Sequence, residues 1–250
     1  MSQIPNEEKT GTKKTFVETV KQSLVWRSIF TKPYPRTDRE RSEIAITSFW
    51  FHLHPSKIKA QAIKFNCTYC LGGLSAALFL ILTVTGVLLM FYYVPSVERA
   101  HADMVDLQTA ISLGKIVRNV HRWGAHAMVV VVFLHMIRVF VSKAYKHPRE
   151  FNWVVGVILL VLTFFLSFTG YLLPWDQLAF WAVTVGTNMA GAVPFAGADI
   201  RFVLLGGATV DQPALLRFYV LHCVAVPLVM VALIVYHLWR VRKDGFSGGL

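Results

Sequence analysis

The chain has 250 residues, of which 55% are hydrophobic, and it carries a formal net charge of +11. With a mean hydropathy of +0.51, this composition excludes a disordered chain and favours a membrane protein. The three cysteines, Cys67, Cys70 and Cys223, are too few for a disulfide framework.

The first 60 residues differ in character from the rest of the chain. Residues 1–60 are predicted to be an N-terminal extension on the cytoplasmic side, and residues 61–250 a four-helix membrane domain. Between Phe16 and Ile29, apolar residues recur at helical spacing among basic ones, which predicts an amphipathic helix lying on the membrane surface. The sequence KPYP at 32–35 is expected to end this helix, and the charged run 36–43 is expected to be a solvated linker.

Four later stretches are long and apolar enough to cross a bilayer core about 30 Å thick. They cover about residues 69–94, 117–141, 152–173 and 214–239. None lies within the first 30 residues in signal-peptide form, so no cleaved signal is expected. The predicted fold class is an all-α membrane protein with four transmembrane helices and an N-terminal amphipathic surface helix.

The positions of Lys and Arg predict the topology. Residues 1–66 hold 12 of them, and the 142–151 loop and the segment after residue 239 hold 3 each. The 95–116 loop holds only 2 and the 174–213 loop only 1. The positive-inside rule then places both termini on the cytoplasmic side. We therefore interpret the basic charge as topology and contact with anionic lipid, not as nucleic-acid binding.

Four histidines form two pairs inside the second and fourth predicted spans. His121 and His135 are 14 residues apart, and His222 and His237 are 15 apart. At 1.5 Å and 100° per residue, each interval covers roughly 21–23 Å and ends within about 60° of a whole number of turns. The two spans run in the same direction, so His121 should face His222 and His135 should face His237. Two stacked bis-histidine sites suit a transmembrane electron path of two haems. For a single intramembrane histidine, a hydrogen bond to a neighbouring helix is the alternative.

Glycines repeat the spacing of the histidines in the other two spans. Gly72 and Gly86 are 14 residues apart, as are Gly156 and Gly170. We interpret each glycine as leaving space for a flat macrocycle at the depth of a histidine pair. Close helix packing is the alternative, since glycine is common in membrane helices.

Arginines flank the histidines of the second span. Arg118 lies about one turn outward of His121, and Arg138 about one turn inward of His135. Both are candidates for pairing with haem propionates, and snorkelling to lipid headgroups is the alternative.

Other polar residues give weaker signals. Cys67 and Cys70 form a CxxC sequence, but Leu71 follows it, so it is not the CxxCH haem-attachment signature. His126 is expected to pack or to form a hydrogen bond, since it lies on another face of the helix than His121. Asp176 is expected to be a solvated loop carboxylate.

Together, several strings resemble the cytochrome b family, and closely its short, split b6 form. The matching strings are CLGG at 70–73, RNVHRW at 118–123 with His135, PRE at 148–150, GYLLPWDQ at 170–177, RFY at 217–219 and RKDGFSGGL at 242–250. The 15-residue interval between His222 and His237 is also similar to the b6 branch. The resemblance covers about residues 60–250.

The resemblance implies a dihaem, or trihaem, electron-transfer subunit of a cytochrome bc/b6f-type complex. Two haem b groups would be held by the histidine pairs, and a haem c by one thioether bond to Cys70. Arg242 would face the propionates of that haem c. Quinol would be oxidised on the outer side, where Pro174 and Trp175 form part of the pocket wall. Electrons would pass to a quinone site on the cytoplasmic side, coupled to proton translocation.

The resemblance also implies partners, because a Pro-Glu-Trp-Tyr string of the family's quinol site is absent. A small multi-span subunit would complete cytochrome b, beside a Rieske-type iron–sulfur protein and a c-type cytochrome, in a dimeric complex. The membrane would be a bacterial inner membrane or a thylakoid-type membrane. The chain alone would be a non-autonomous part of a quinol–cytochrome c or quinol–plastocyanin oxidoreductase. A dihaem anchor of a dehydrogenase or hydrogenase, and a non-redox transporter, are the competing interpretations.

Overall fold

The computed structural model describes residues 15–24, 26, 37–46 and 69–245. Throughout these residues the secondary structure is helical, which confirms the all-α prediction. The helices are α1 (Phe16–Gln22), α2 (Asp38–Ile46), α3 (Leu71–Met90), α4 (Ala100–Thr109), α5 (Gly114–Val141), α6 (Glu150–Leu172), α7 (Gln177–Gly191), α8 (Gly197–Leu205), α9 (Gln212–Val220) and α10 (Val226–Asp244), with a π-helical turn, Leu221–Ala225, between the last two.

Four helical segments among the described residues are long and apolar enough to cross a membrane, as predicted. They are α3, α5, α6 and the continuous segment Gln212–Asp244, which joins α9, the π-helical turn and α10. At most 17% of the most apolar window of any span is buried inside the chain. The remaining apolar surface is available to lipid or to other subunits.

The spans pack as neighbours, α3 along α5, and α6 against both α5 and α10. The described hydrophobic clusters lie at the end of the bundle that includes α4, α7 and α8. The predicted topology places this end outside, and we refer to it as the outer end and to the opposite one as the inner end. One contains Leu172, Val183, Leu205, Ala214 and Phe218, and the other Tyr93, Ala100 and Leu215. Farther into the membrane, by contrast, a cavity separates the spans.

Tyr93 ties the outer ends of three spans together. Its hydroxyl donates a hydrogen bond to the Leu173 carbonyl over 2.6 Å, and its ring stacks on Tyr219 with 5.6 Å between ring centroids. Burial raises the pKa of the Tyr93 phenol, so the hydroxyl stays neutral and keeps its proton for this bond. These contacts hold the ends of three spans together on one side of the cavity.

Two short helices lie within the described residues of the N-terminal extension. The helix predicted from Phe16 is present as α1 and ends at Gln22, whereas residues 27–36 lie outside the described residues. The run 36–43, predicted to be a solvated linker, is exposed in its described part, but α2 covers most of it, so it is helical. A reciprocal cap between Thr37 and Glu40 starts this helix, and an Arg39–Glu43 pair at 3.4 Å supports it. The contact of either helix with a membrane surface, and the domain boundary near residue 60, stay predictions.

Candidate functional site

The structure places His121 of α5 beside His222 of the π-helical turn. Their ring centroids are 6.3 Å apart and their planes are inclined by 76°. Half of this separation, about 3.1 Å, is close to a metal–imidazole bond of about 2 Å plus the distance from the ring centre to a ring nitrogen. The two rings are therefore far enough apart for one metal ion to lie between them.

Hydrogen bonds engage Nδ1 of His222 and leave Nε2 available to bind a metal. Its Nδ1 lies 3.1 Å from the Leu166 carbonyl oxygen and 3.2 Å from Thr169 Oγ1. A carbonyl oxygen only accepts, so Nδ1 of the neutral ring carries the proton and Nε2 keeps its lone pair. A neighbour that fixes the tautomer and the ring orientation is a regular feature of histidine ligands to metals.

His121 has a similar neighbour. Its Nδ1 lies 2.9 Å from Thr85 Oγ1, and this hydroxyl donates its own proton to the Ile81 carbonyl over 2.7 Å. The Thr85 oxygen can therefore accept the His121 Nδ1 proton, which again leaves Nε2 free. In both spans the threonine directly precedes a predicted glycine, in the pairs Thr85–Gly86 and Thr169–Gly170. That repeated Thr–Gly pair is the sequence signal that the histidine and glycine spacing alone missed.

Each predicted glycine lies against one of the four histidines. A Cβ atom at Gly86 would lie 3.2 Å from His121 Cε1, and one at Gly170 only 2.5 Å from His222 Cε1. On the inner side, the corresponding distances are 3.3 Å for Gly72 to His135 and 3.6 Å for Gly156 to His237. The absence of a side chain at each glycine therefore allows an imidazole ring to approach the neighbouring helix. Space for a macrocycle at the same depth stays a prediction.

The π-helical turn explains how the unequal histidine intervals can match. Fifteen residues of regular α-helix would end about 60° past a whole number of turns. A π-helical turn closes over one more residue than an α-helical turn, so it absorbs one residue of the interval between His222 and His237. The turn Leu221–Ala225 contains His222 itself, and such single turns occur frequently at functional sites.

A cavity opens between the four spans at the level of the outer histidine pair. Its volume is about 130 Å³. Apart from His121 and His222, the lining is mainly apolar and includes Phe79, Leu82, Val87, Met90, Met128, Leu166, Pro227 and Met230. This donor set and lining fit a flat, largely apolar macrocycle with a central metal ion.

The inner histidines lie near each other on α5 and α10. His135 acts electrostatically on His237, and each ring lies against its own glycine. The pairing of His135 with His237 stays a prediction, and ligation by either pair stays a proposal.

The flanking arginines lie at opposite ends of α5. Arg118 interacts electrostatically with Arg122 and with Asp176 of the outer turn. At the inner end, the guanidinium carbon of Arg138 lies 5.8 Å from the centre of the Tyr69 ring. Arg242 belongs to the last turn of α10. Propionate binding by these three arginines is not tested by their positions.

Cys70 is exposed and lies at the start of α3, at the inner end of the first span. Its backbone has a positive φ of 54°, in the left-handed region that non-glycine residues seldom adopt. Cys67 lies outside the described residues. Cys70 is thus accessible for covalent attachment, and the choice between these two cysteines stays a prediction.

The predicted quinol-site wall is a tight turn between α6 and α7. Trp175 has a positive φ of 49°, and its backbone N–H donates to the Leu172 carbonyl over 3.2 Å. Asp176 was expected to be a solvated carboxylate, but it caps α7 by accepting from the Ala179 N–H over 2.8 Å. The cap and the bond from Tyr93 to Leu173 hold the Pro174–Trp175 turn from both sides.

His126 packs as expected for a residue on another face of α5. Its ring meets Trp123 edge to face with 5.6 Å between centroids. Neither residue lines the cavity between the histidines.

Fold and site together define an integral membrane helical bundle in which His121 lies beside His222. Residues 56–245 match the family model described as Cytochrome b/b6/petB, and the chain belongs to this family. This confirms the resemblance inferred from the strings.

Similar proteins agree with the family. Cytochrome b6 of Heliobacterium mobile is 43% identical over 182 residues, covering 73% of this chain and 85% of the relative. Cytochrome b6 of Heliobacterium modesticaldum is 42% identical with the same coverage. A chain of a hyperthermophilic respiratory complex III has a TM-score of 0.67 and 27% identity over 93% of this chain. This chain spans only 56% of that longer chain.

Proposed function

We propose that the chain is a haem-carrying electron-transfer subunit of a cytochrome bc/b6f-type complex. The observation that carries the proposal is the facing of His121 and His222 at 6.3 Å between ring centroids, with each Nδ1 beside a hydrogen-bond partner. Haem iron bound there would supply one-electron oxidation and reduction. Family membership favours this function over a dehydrogenase anchor or a transporter.

The chain's own residues would hold and insulate two haem b groups. His121 and His222 would ligate the outer iron, and His135 and His237 the inner one. The apolar cavity lining excludes water from the outer site. Arg118 and Arg138 would pair with propionates at the outer and inner ends of α5.

Quinol would be oxidised on the outer side, beside the rigid Pro174–Trp175 turn. Electrons would then cross the membrane along the stacked histidine pairs to a quinone site on the cytoplasmic side. Opposite sides for quinol oxidation and quinone reduction couple electron transfer to proton translocation. The basic loops and termini support a cytoplasmic location of both chain ends, in a bacterial inner or thylakoid-type membrane.

The remaining parts of the quinol site would come from other subunits. The chain matches a cytochrome b6 relative over 85% of the relative's length, and in this short form a small multi-span subunit would supply the other half of cytochrome b. No group of three His, Cys, Asp or Glu side chains suited to a metal occurs among the described residues. A first electron acceptor on a Rieske-type iron–sulfur protein and a c-type cytochrome, in a dimeric complex, would complete the pathway.

Quinol oxidation is expected to need the whole complex. The purified chain with its haems should reduce a cytochrome acceptor from quinol at no more than a background rate, because it lacks the first acceptor. The native complex should show inhibitor-sensitive turnover under the same conditions. Comparable inhibitor-sensitive rates for the chain alone would contradict the split-subunit proposal.

A haem c is expected to be attached to Cys70 by a single thioether bond. Haem staining should persist on this chain after denaturing electrophoresis and extraction with acidic acetone, which removes haem b. Cys70→Ala should abolish the stain, because the accessible thiol at the inner end of α3 is lost. Cys223→Ala, which alters a half-buried thiol within the fourth span, is the matched control. Loss of the stain in Cys67→Ala instead would move the attachment to that residue.

A further inference from the structure

A fully buried ion pair occupies the inner end of the fourth span. Arg240 and Asp244 have exposed side-chain fractions of 0% and 1%, and Arg240 Nη2 lies 3.0 Å from Asp244 Oδ2. They are one turn apart on α10. His237 precedes them by 3 and 7 residues, so all three lie on one helix face. The pair therefore lies directly beneath the candidate inner ligand.

The ion pair is joined to the start of the third span. Arg240 also donates to the Pro148 carbonyl over 3.3 Å. In the opposite direction, Arg149 donates to the carbonyls of Gly245 over 3.0 Å and Asp244 over 3.4 Å. The loop before α6 and the end of α10 thus hold each other through two guanidinium groups. We name Arg149, Arg240 and Asp244 the inner clamp.

The first turn of α6 connects the inner clamp to the ring of His237. The buried Nδ1 of His237 faces the backbone of Asn152, three residues after Arg149. Phe151 meets Tyr236, the neighbour of His237, edge to face with 5.9 Å between centroids. A shift of the α6 start relative to α10 would therefore move the groups that contact His237.

We propose that the inner clamp positions the imidazole of His237, and that Arg240 and Asp244 are positioning residues for the inner haem. This inference rests on the proposed function. A buried ion pair adds little to stability over an apolar pair of similar volume, whereas removal of one partner leaves an uncompensated charge. The more specific role of the Arg240–Asp244 pair is to fix the start of α6, which also contacts His237.

The experiment compares variants in the native complex by EPR and redox titration of each b haem. Arg240→Met, Asp244→Asn and the double variant should each shift the low-spin EPR signal of the inner haem, since all three release the α6 start. The outer haem, held by His121 and His222, should keep its signal and serves as internal reference. Arg39→Met breaks a largely exposed pair of the same i,i+4 spacing and should change neither haem.

A purely electrostatic role predicts a different pattern. Loss of the cation alone would lower the inner midpoint potential, loss of the anion alone would raise it, and the double variant would restore it, with the EPR signal unchanged. That pattern, or no change in any variant, would overturn the positioning role.

If Arg240→Met does not assemble, Arg240→Lys replaces it. Lysine keeps the charge, but its side chain is one atom shorter than that of arginine, whose Nη2 reaches both Asp244 and Pro148. A wild-type complex without b-haem spectra would instead refute the proposed function itself.

Discussion

Replacement of either His121 or His222 by alanine is expected to remove the same haem b signal from the complex. Each imidazole would supply one ligand to the iron, and the rings face each other at 6.3 Å between centroids. Loss of one histidine would leave the haem with a single histidine ligand in a mainly apolar cavity. Redox-resolved optical spectra should therefore show one b haem remaining in both variants.

The pairing is tested by comparing the spectra that remain. His135→Ala and His237→Ala should both lose the inner haem and keep the outer one. The midpoint potential that remains in these two variants should be the one that is missing from His121→Ala and His222→Ala. His126→Ala is the matched control, because His126 lies on the same helix but packs on Trp123 outside the cavity. Matching spectra for His121→Ala and His237→Ala would contradict the pairing.

Thr85→Val and Thr169→Val would separate ligation from orientation. Both keep the volume near the ring but remove the hydroxyl next to Nδ1. The haem should be retained, because the histidine ligand is unchanged. Its midpoint potential should shift, because the threonine hydroxyl that neighbours Nδ1 is lost. Both shifts should be modest, because each ring keeps a backbone carbonyl partner, Leu82 for His121 and Leu166 for His222.

The membrane architecture was accessible from the sequence because it depends on long-range composition. Uninterrupted apolar runs predict spans whatever their neighbours, and the four predicted runs correspond to the four observed spans. The last span extends to Asp244 rather than ending near residue 239. Its charged end is stabilised by the Arg240–Asp244 pair, which a hydropathy profile cannot represent.

Local geometry at the site was less accessible. The π-helical turn Leu221–Ala225 is followed two residues later by Pro227, whose missing N–H cannot pair with a carbonyl of the preceding turn. The spacing argument did not use this proline, so the 15-residue histidine interval matched a whole number of turns only approximately. The hydrogen bonds of Thr85 and Thr169 depend on contact between different spans. Asp176 was assigned to solvent because its capping role depends on where α7 begins.

The four glycines, equivalent by sequence, are ranked by the structure, and Gly170 is expected to be the least tolerant. A Cβ atom there would lie 2.5 Å from His222 Cε1, 3.0 Å from Nε2 and 3.1 Å from Nδ1. The ring cannot easily turn away, because its Nδ1 is held at the Leu166 carbonyl and beside Thr169. Gly170→Ala should therefore displace the ligand, cost about 1–3 kcal/mol in stability through overpacking, and remove or strongly shift the outer haem signal.

The same substitution elsewhere provides graded controls for this effect. At Gly156 an added Cβ would lie 3.6 Å from His237, an ordinary contact distance, so Gly156→Ala should leave the inner haem nearly unchanged. Gly73→Ala meets nothing within 4 Å and should match the wild type, while Gly86→Ala, at 3.2 Å from His121, should be intermediate. Titration of both b haems in the four variants measures the order. Equal losses at Gly156 and Gly170 would show that the macrocycle, rather than the histidine ring, sets the requirement for glycine.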